Sequence, residues 1–219
     1  MKTPPSLSRR RLLQAAPALL ATPLWGAEES TSFPLKGVLF KTLKIGMTSK
    51  AGKTLTERFK AAKEAGFGAI ELNCPGSDVE EVKKAIDESG LPVDGSVCAA
   101  HWQVRHTDPD PAIRAKALEN LKGALRETKA VGGDTVLLVV GHGKDGPAEE
   151  IDARSIENIS KAIPLAEELG VPIAVENVWN QMHYDHGGPA DQSADRLASY
   201  IDAFDSPMVG MQFDIGNHW

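Results

Sequence analysis

The chain has 219 residues, with 24 Lys and Arg against 30 Asp and Glu, which gives a formal net charge of −6. An acidic chain argues against a nucleic-acid groove, because protein affinity for nucleic acid comes mainly from neutralising phosphates. The 42% hydrophobic share with 5% aromatic residues is that of an ordinary globular protein, and the length suits one sizeable core.

The first 27 residues are predicted to be an export signal and not part of the fold. Three consecutive arginines and two leucines in Ser8–Gln14 precede an Ala- and Leu-rich stretch too short to span a bilayer, and small residues follow around Ala27. This pattern is typical of a twin-arginine signal, so we expect the twin-arginine machinery to deliver the protein to the periplasm or another exported location. A basic amphipathic N-terminus is the alternative. Removing the four basic residues of this segment would change the net charge from −6 to −10.

After an expected N-terminal tail at residues 28–39, short β-branched runs alternate with amphipathic segments. No segment after the signal is apolar and long enough for stable membrane insertion. The β-branched runs predict six strands at residues 43–47, 69–73, 93–99, 135–140, 172–178 and 209–215. Apolar residues at helical spacing predict five helices between them, with stripes that start at Leu55, Val79, Ile113, Ile156 and Ala194.

Residues at the ends of the predicted helices support this division. The segments Thr54–Glu57 and Ser77–Glu80 have the pattern of capping boxes, and a proline follows Asp110 at the first helical position. Glycines that would stop the helices stand at Gly66, Gly90, Gly132, Gly133 and Gly170.

Repeated strand and helix units with apolar faces predict a parallel sheet covered by helices, either an open doubly wound sheet or a closed eight-stranded barrel. No Gly-x-Gly-x-x-Gly follows the first strand, which weakens a dinucleotide-binding interpretation. A (β/α)8 TIM barrel usually needs about 250 residues. We therefore expect residues 40–219 to form a C-terminally truncated TIM barrel that covers about the first six strands, with about two further units encoded downstream.

The sequence contains two cysteines, Cys74 and Cys98. Export would permit a disulfide if their strands were neighbours at matching depth. We expect two buried free thiols instead.

Two carboxylates stand where buried strands are predicted to open into loops. Glu176 ends the apolar run that starts at Val171, and Asp214 ends the run that starts at Met208. In a barrel of parallel strands this is the end at which ligands and metals bind. Hard divalent cations prefer carboxylate oxygens, and a buried acid is costly unless a charge pairs with it. A salt bridge to Lys or Arg is the alternative, but neither run has a basic neighbour in the sequence.

Four segments, in this order, resemble the sugar phosphate isomerase/epimerase family: Ser96–Trp102, Thr107–Arg114, Glu176–Asn180 and Phe213–Asn217. The resemblance extends from about residue 40 to the end of the chain. The family has the xylose-isomerase-like barrel and includes ketose 3-epimerases and hydroxypyruvate isomerases.

The resemblance implies a divalent metal, usually Mn²⁺ or Mg²⁺. In the family this metal is held by a glutamate after strand five, an aspartate after strand six, a histidine after strand seven and a glutamate after strand eight. Glu176 matches the first ligand and Asp214 the second. The other two have no counterpart, because the sequence ends.

Residues at other strand ends are candidates for substrate contacts. His101 matches the family motif and is expected to hydrogen-bond a substrate hydroxyl, with a purely structural histidine as the alternative. Trp102 would cover the apolar face of a carbon skeleton. Glu71, at the end of the second strand, is expected either to bind substrate or to pair with Lys44.

Residues next to the two proposed metal ligands are expected to shape the same pocket. Asn177 and Trp179 closely follow Glu176 and would form a wall. Asn217 stands where ketose 3-epimerases of the family typically carry a histidine that binds substrate oxygen, and His218 next to it could take that role if the loop turns it inward. We expect both to contact substrate.

The loop at residues 181–192 departs from the family pattern. Met182 stands where ketose 3-epimerases carry a second glutamate. His183 and His186 suggest a second metal site, but His-x-x-His alone is not diagnostic. An exposed lid over the barrel mouth is the preferred interpretation.

These features predict an exported, divalent-metal-dependent isomerase or epimerase that acts on a small sugar or sugar phosphate. The metal would polarise a carbonyl and the adjacent hydroxyl and stabilise an enediolate, while Glu176, or the absent glutamate of strand eight, transfers the proton. One alternative is a non-catalytic periplasmic carbohydrate-binding barrel. A zinc endonuclease of the same fold is disfavoured, because it needs a basic groove and a histidine-rich zinc cluster. The exact substrate and a homo-oligomeric state stay open.

Overall fold

The computed structural model describes residues 40–185, 187–189 and 191–217. The predicted signal and tail at residues 1–39, and also His186 and His218, lie outside the described residues. Within the described ranges, no helix is both long and apolar enough to cross a membrane.

Six strands form one parallel sheet in which each strand pairs only with its neighbours in the sequence. An open doubly wound sheet reverses its strand order at a switch point, whereas a TIM barrel adds strands in chain order. The order seen here therefore confirms the predicted partial barrel. The strands are β1 (Thr42–Lys44), β2 (Ala69–Cys74), β3 (Val93–Cys98), β4 (Thr135–Leu138), β5 (Ile173–Glu176) and β6 (Val209–Gln212).

Helices connect successive strands. The α-helices are α1 (Leu55–Glu64), α2 (Val79–Ser89), α3 (Pro111–Ala130), α4 (Ala148–Ser160), α5 (Ile163–Leu169) and α6 (Asp195–Asp202), and short 3-10 helices lie at Ile45–Thr48 and Gly143–Asp145. The prediction of a single helix between β4 and β5, with an apolar stripe from Ile156, is wrong, because two helices cover this region. Pro164 has no N–H to donate to the carbonyl of Ser160, so the helical hydrogen-bond ladder is interrupted there.

Five of the six strands, all except β2, end earlier than predicted, and the ends of β1, β5 and β6 matter for the site. β1 stops at Lys44, and the next residues turn into a 3-10 helix. β5 stops at Glu176, which is therefore its last residue. β6 stops at Gln212, so Asp214 lies in the following loop and not at the end of the strand.

Of the two predicted capping boxes, one is confirmed and one is wrong. Thr54 and Glu57 form a reciprocal capping box at the start of α1. At α2 the N-cap is Asp78, whose carboxylate accepts from the backbone N–H of Glu80. Ser77 donates its hydroxyl to the carbonyl of Asn73 instead, at 3.0 Å. Because Ser and Asp are both good N-caps, neighbouring residues can compete for this position.

The apolar core lies between the sheet and the helices. Ile70 and Leu72 of β2 pack into this core, and Phe59 of α1 lies against them, fully buried. Because side chains alternate along a strand, Glu71 projects from the opposite face, toward the inside of the barrel wall. The inner face is thus where polar side chains collect.

Cys74 and Cys98 are buried free thiols, as predicted. They lie opposite each other on the neighbouring strands β2 and β3. Burial raises the pKa of the Cys74 thiol to about 11 and that of Cys98 to about 12. Both thiols are therefore protonated at neutral pH.

Candidate active site at the carboxyl ends of the strands

The carboxyl ends of the strands surround a cavity of about 460 Å³, here called the upper cavity. Its wall brings together side chains from β1, β5 and the loops after β3, β5 and β6. The charged, polar and aromatic residues that matter most are Lys44, His101, Trp102, Glu176, Trp179 and Asn217. Five of these six were predicted as site residues from the sequence, and Lys44 was named only as an ion-pair partner.

A second cavity of about 550 Å³ lies on the amino-terminal side of the same barrel interior. Glu71 lines this lower space and does not line the upper cavity. Its carboxylate lies 3.9 Å from the ammonium of Lys44. Of the two roles expected for Glu71, the structure shows the ion pair.

Lys44 is the last residue of β1 and lines both cavities. Burial raises the pKa of the Glu71 carboxyl, and the Lys44 ammonium opposes that rise. The same ammonium lowers the pKa of the Glu176 carboxyl, which burial raises. β2 continues to Cys74, so Glu71 lies inside this strand and not at its end as predicted, and Lys44 is its register partner on β1.

Glu176 and Asp214 lie close enough to interact directly. Burial raises the pKa of the Glu176 carboxyl, Lys44 lowers it, and the Asp214 carboxyl beside it raises it further. Two carboxylates at one partly buried place repel each other unless a proton or a cation lies between them. Their oxygens are the donors that hard divalent cations prefer, so this pair fits one. Among the described residues, no group of three or more His, Cys, Asp and Glu side chains converges on a metal position.

The Asp214 carboxylate is held by its own turn. Its Oδ1 accepts from the backbone N–H groups of Gly216 at 2.7 Å and Asn217 at 3.3 Å. Its Oδ2 accepts from the side-chain amide of Asn217 at 3.0 Å. A carboxylate has about four acceptor positions, two on each oxygen, so these three hydrogen bonds leave one position on Oδ2 for a further partner.

His101 is buried and neutral. The backbone N–H of Val139 donates to its Nδ1 at 3.0 Å, which leaves the ring hydrogen on Nε2. Burial, assisted by Lys44, lowers the pKa of His101 to about 4. At neutral pH the ring therefore offers an uncharged N–H donor on the wall of the upper cavity.

Two indoles form the aromatic walls of the upper cavity. Trp102 is 46% exposed and Trp179 is 51% exposed. The Trp102 ring packs edge-on against His101, with 5.7 Å between ring centroids. The Nε1–H of Trp179 donates to the carbonyl of Asn217 at 2.9 Å, which fixes its orientation. Both side chains present apolar surface to a ligand of the size of a small sugar.

The suggested second metal site at residues 183–186 is not supported for His183. This side chain is buried, its Nε2 lies 3.0 Å from the Asp152 carboxylate, and its ring stacks on Tyr200 at 4.1 Å. Met182 is fully buried as well. The first part of the loop therefore packs onto α4 and α6 and is not an exposed lid.

A family model described as a xylose isomerase-like TIM barrel matches residues 59–219. The chain belongs to the xylose isomerase-like TIM-barrel family. This confirms the resemblance to sugar phosphate isomerases and epimerases, and the matched range includes both proposed metal ligands.

Relatives of this xylose isomerase-like protein include several epimerases. L-Ribulose-5-phosphate 3-epimerase UlaE of Salmonella typhimurium is 24% identical over 197 residues, which cover 82% of this chain and 66% of UlaE. The chain thus spans just under two thirds of the length of the curated relatives it matches.

Solved structures show the same fold. D-Allulose 3-epimerase from Methylomonas sp., in complex with D-allulose, superimposes with a TM-score of 0.63 at 23% identity and covers 80% of this chain and 62% of that one. The IolI protein with a zinc atom superimposes with a TM-score of 0.60 at 14% identity and covers 79% of this chain and 62% of IolI.

Proposed function

We propose that this xylose isomerase-like barrel is a divalent-metal-dependent epimerase or isomerase of small sugars or sugar phosphates. The observation that carries the proposal is that the Glu176 carboxyl lines the upper cavity and interacts with the neighbouring Asp214 carboxyl. UlaE and the allulose enzyme are both named as 3-epimerases of ketoses or their phosphates, which supports the same reaction class.

In the proposed mechanism, Glu176 and Asp214 would hold the metal through carboxylate oxygens, a donor set that suits Mn²⁺ or Mg²⁺. The bound cation would supply polarisation of the substrate carbonyl and the adjacent hydroxyl. Glu176 takes or returns the proton on one face of the carbon next to the carbonyl. Epimerisation also needs a group that exchanges the proton on the opposite face, a role that the family resemblance implies for the glutamate after strand eight, whereas an aldose-ketose isomerisation needs only the one face.

Other residues of the upper cavity bind and orient the substrate. His101 donates its Nε2–H to a substrate oxygen without adding charge. Trp102 and Trp179 cover the apolar side of the carbon chain and exclude water. Asn217 lines the same wall and orients Trp179 through its carbonyl.

The decisive test is hydrogen exchange at the carbon next to a ketose carbonyl, measured in deuterated water across a manganese titration. Glu176→Gln removes the basic oxygen and one metal-ligand charge, so exchange should fall by about 10²- to 10⁴-fold or more. Glu168→Gln, at an exposed glutamate of α5, is the matched control and should exchange like the wild type. Exchange by Glu176→Gln at the wild-type rate would show that the assignment is wrong.

A non-catalytic carbohydrate-binding barrel is the second candidate. One observation favours it: both oxygens of Asp214 already accept hydrogen bonds from its own turn. Sugar binding by the wild type without exchange of any ketose or 2-oxo acid proton would support this binding role over catalysis.

We also propose that the protein is exported through the twin-arginine route, on the basis of the arginines and leucines in Ser8–Gln14. Replacing Arg9 and Arg10 by lysine should retain the protein in the cytoplasm. Cell fractionation with an immunoblot measures this, and an unchanged periplasmic yield would contradict the proposed route.

A further inference from the structure

The sheet does not by itself fix Asp214 relative to Glu176. The parallel pairing of β5 with β6 runs from Ile173 opposite Val209 to Glu176 opposite Gln212, where it ends. Asp214 lies two residues beyond this last pair, in the loop after β6. Contacts outside the sheet must hold the two carboxylates together if they share one cation.

The side chain of Asn177 makes these contacts. Its Nδ2–H donates to the backbone carbonyl of Asp214 at 2.9 Å, and its Oδ1 accepts from the backbone N–H of Asp214 at 2.6 Å. The primary amide thus pairs with both backbone groups of one residue, much as a peptide group would in a sheet. It extends the connection between the two chain segments beyond the last strand pair.

A second asparagine closes the arrangement. The Asn217 side-chain amide donates to the backbone carbonyl of Asn177 at 2.9 Å and to Oδ2 of Asp214 at 3.0 Å. Asn177, which directly follows Glu176, therefore holds the backbone of Asp214 directly. It also holds Asn217, which orients the Asp214 carboxylate.

We propose that Asn177 is a positioning residue that places Asp214 beside Glu176 for a shared divalent cation. This inference rests on the proposed metal-binding role of those two carboxylates. A place in the wall of the substrate pocket, as expected from the sequence, does not fit the geometry. Asn177 is only 6% exposed, does not line the upper cavity, and uses its amide on Asp214.

The chemistry of the side chain explains why asparagine is needed. Alanine offers neither hydrogen bond, and aspartate offers no donor to the Asp214 carbonyl. Glutamine carries the same amide on a longer stem, so it would not reach Asp214 in the same geometry. Loss of a hydrogen-bonding partner behind a metal ligand typically costs about 10- to 100-fold in metal affinity.

The test compares Mn²⁺ binding by the purified protein, titrated by electron paramagnetic resonance of free Mn²⁺, with stability measured by urea unfolding. Asn177→Ala should weaken Mn²⁺ binding by about 10- to 100-fold. Asn180→Ala is the matched control, because Asn180 is also buried and ties the same loop elsewhere, to the carbonyl of Gly141 at 2.8 Å. Asn180→Ala should lower the urea midpoint about as much as Asn177→Ala does. It should change the Mn²⁺ affinity less than about 3-fold, because the contact of Asn180 lies away from Asp214.

A catalytic readout separates positioning from chemistry. Saturating Mn²⁺ should restore most of the proton exchange in Asn177→Ala, because only ligand placement is impaired. It should restore none in Glu176→Gln, which lacks the base. If Asn177→Ala does not fold, Asn217→Ala takes its place, and Mn²⁺ affinity should then fall several-fold.

The outcomes distinguish the inference from the proposed function. Two results would overturn the positioning role alone, provided that Glu176→Gln still loses Mn²⁺ affinity. One is an equal loss of Mn²⁺ affinity in Asn177→Ala and Asn180→Ala. The other is wild-type Mn²⁺ affinity in whichever variant of Asn177 or Asn217 is tested. Wild-type Mn²⁺ affinity in Glu176→Gln, or no Mn²⁺ binding by the wild type, overturns the metal site, and the positioning role with it.

Discussion

Acidification should destabilise the folded protein through two buried histidines. Burial, assisted by Lys44, lowers the pKa of His101 to about 4. Burial, assisted by the nearby His101, lowers the pKa of His106 to about 3. An unfolded histidine titrates near 6.5. Between these values the unfolded chain binds more protons than the folded one, so the free energy of unfolding falls as the pH drops below 6.5 and is flat above it.

The size of the effect follows from the same pKa values. Between pH 6.5 and pH 5.0 an unfolded histidine is protonated, whereas the folded ring is not. This interval is about 1.5 pH units, and each unit lowers the free energy of unfolding by about 1.36 kcal/mol. Each histidine therefore costs about 2 kcal/mol at pH 5.0, and the two together cost about 4 kcal/mol. A domain has only about 5–15 kcal/mol of stability in total, so the loss should be easy to measure.

The assay is urea unfolding of the wild type and of His101→Gln at pH 7.5 and 5.0. Glutamine keeps an acceptor for the N–H of Val139 and does not titrate. The variant should lose about 2 kcal/mol less than the wild type over this interval. Glu71 and Glu176 have a raised pKa and act in the opposite direction, but they are common to both proteins. Equal losses in wild type and variant would refute the reasoning, and a second pair of measurements at pH 7.5 and 9.0 should show no such difference.

Two further predictions concern packing. In a thermal melt, Gly141→Ala should be destabilised by about 1–3 kcal/mol or more, because the new Cβ would clash with Oγ1 of Thr107. Gly46→Ala is the control and should be nearly neutral, because its Cβ would meet nothing within 4 Å. Cys74 and Cys98 should react with a thiol reagent at neutral pH only as fast as the protein unfolds, because both are buried and have raised pKa values; rapid reaction under native conditions would contradict this.

Much of the fold could be predicted from the sequence, because the alternation of strand and helix patterns is local. The strand ends were harder to predict. The strand expected to reach residue 215 ends at Gln212, although Phe213 and Ile215 are apolar. These side chains are 42% and 80% exposed at the end of the sheet. Hydrophobicity alone does not distinguish an apolar loop from a buried strand.

The candidate site was predicted in part, for a similar reason. Glu176 and His101 stand near strand ends, where ligands bind in this architecture, so position along the chain was informative. The amide pairing of Asn177 with Asp214 joins residues 37 positions apart, side chain to backbone, and no local pattern encodes it. The positioning role of Asn177 therefore appeared only with the tertiary structure, whereas Lys44 was predicted as the ion-pair partner of Glu71 but not as a residue of the upper cavity.

The chain-order arrangement of the sheet also bears on how the protein is made. Among the described residues, every strand from β2 onward pairs with the strand synthesised just before it. Each pairing therefore closes a loop of one strand and helix unit, and this entropy cost does not grow as the chain lengthens. Each new unit can dock as it leaves the ribosome, and the two carboxylates come together when β6 joins β5.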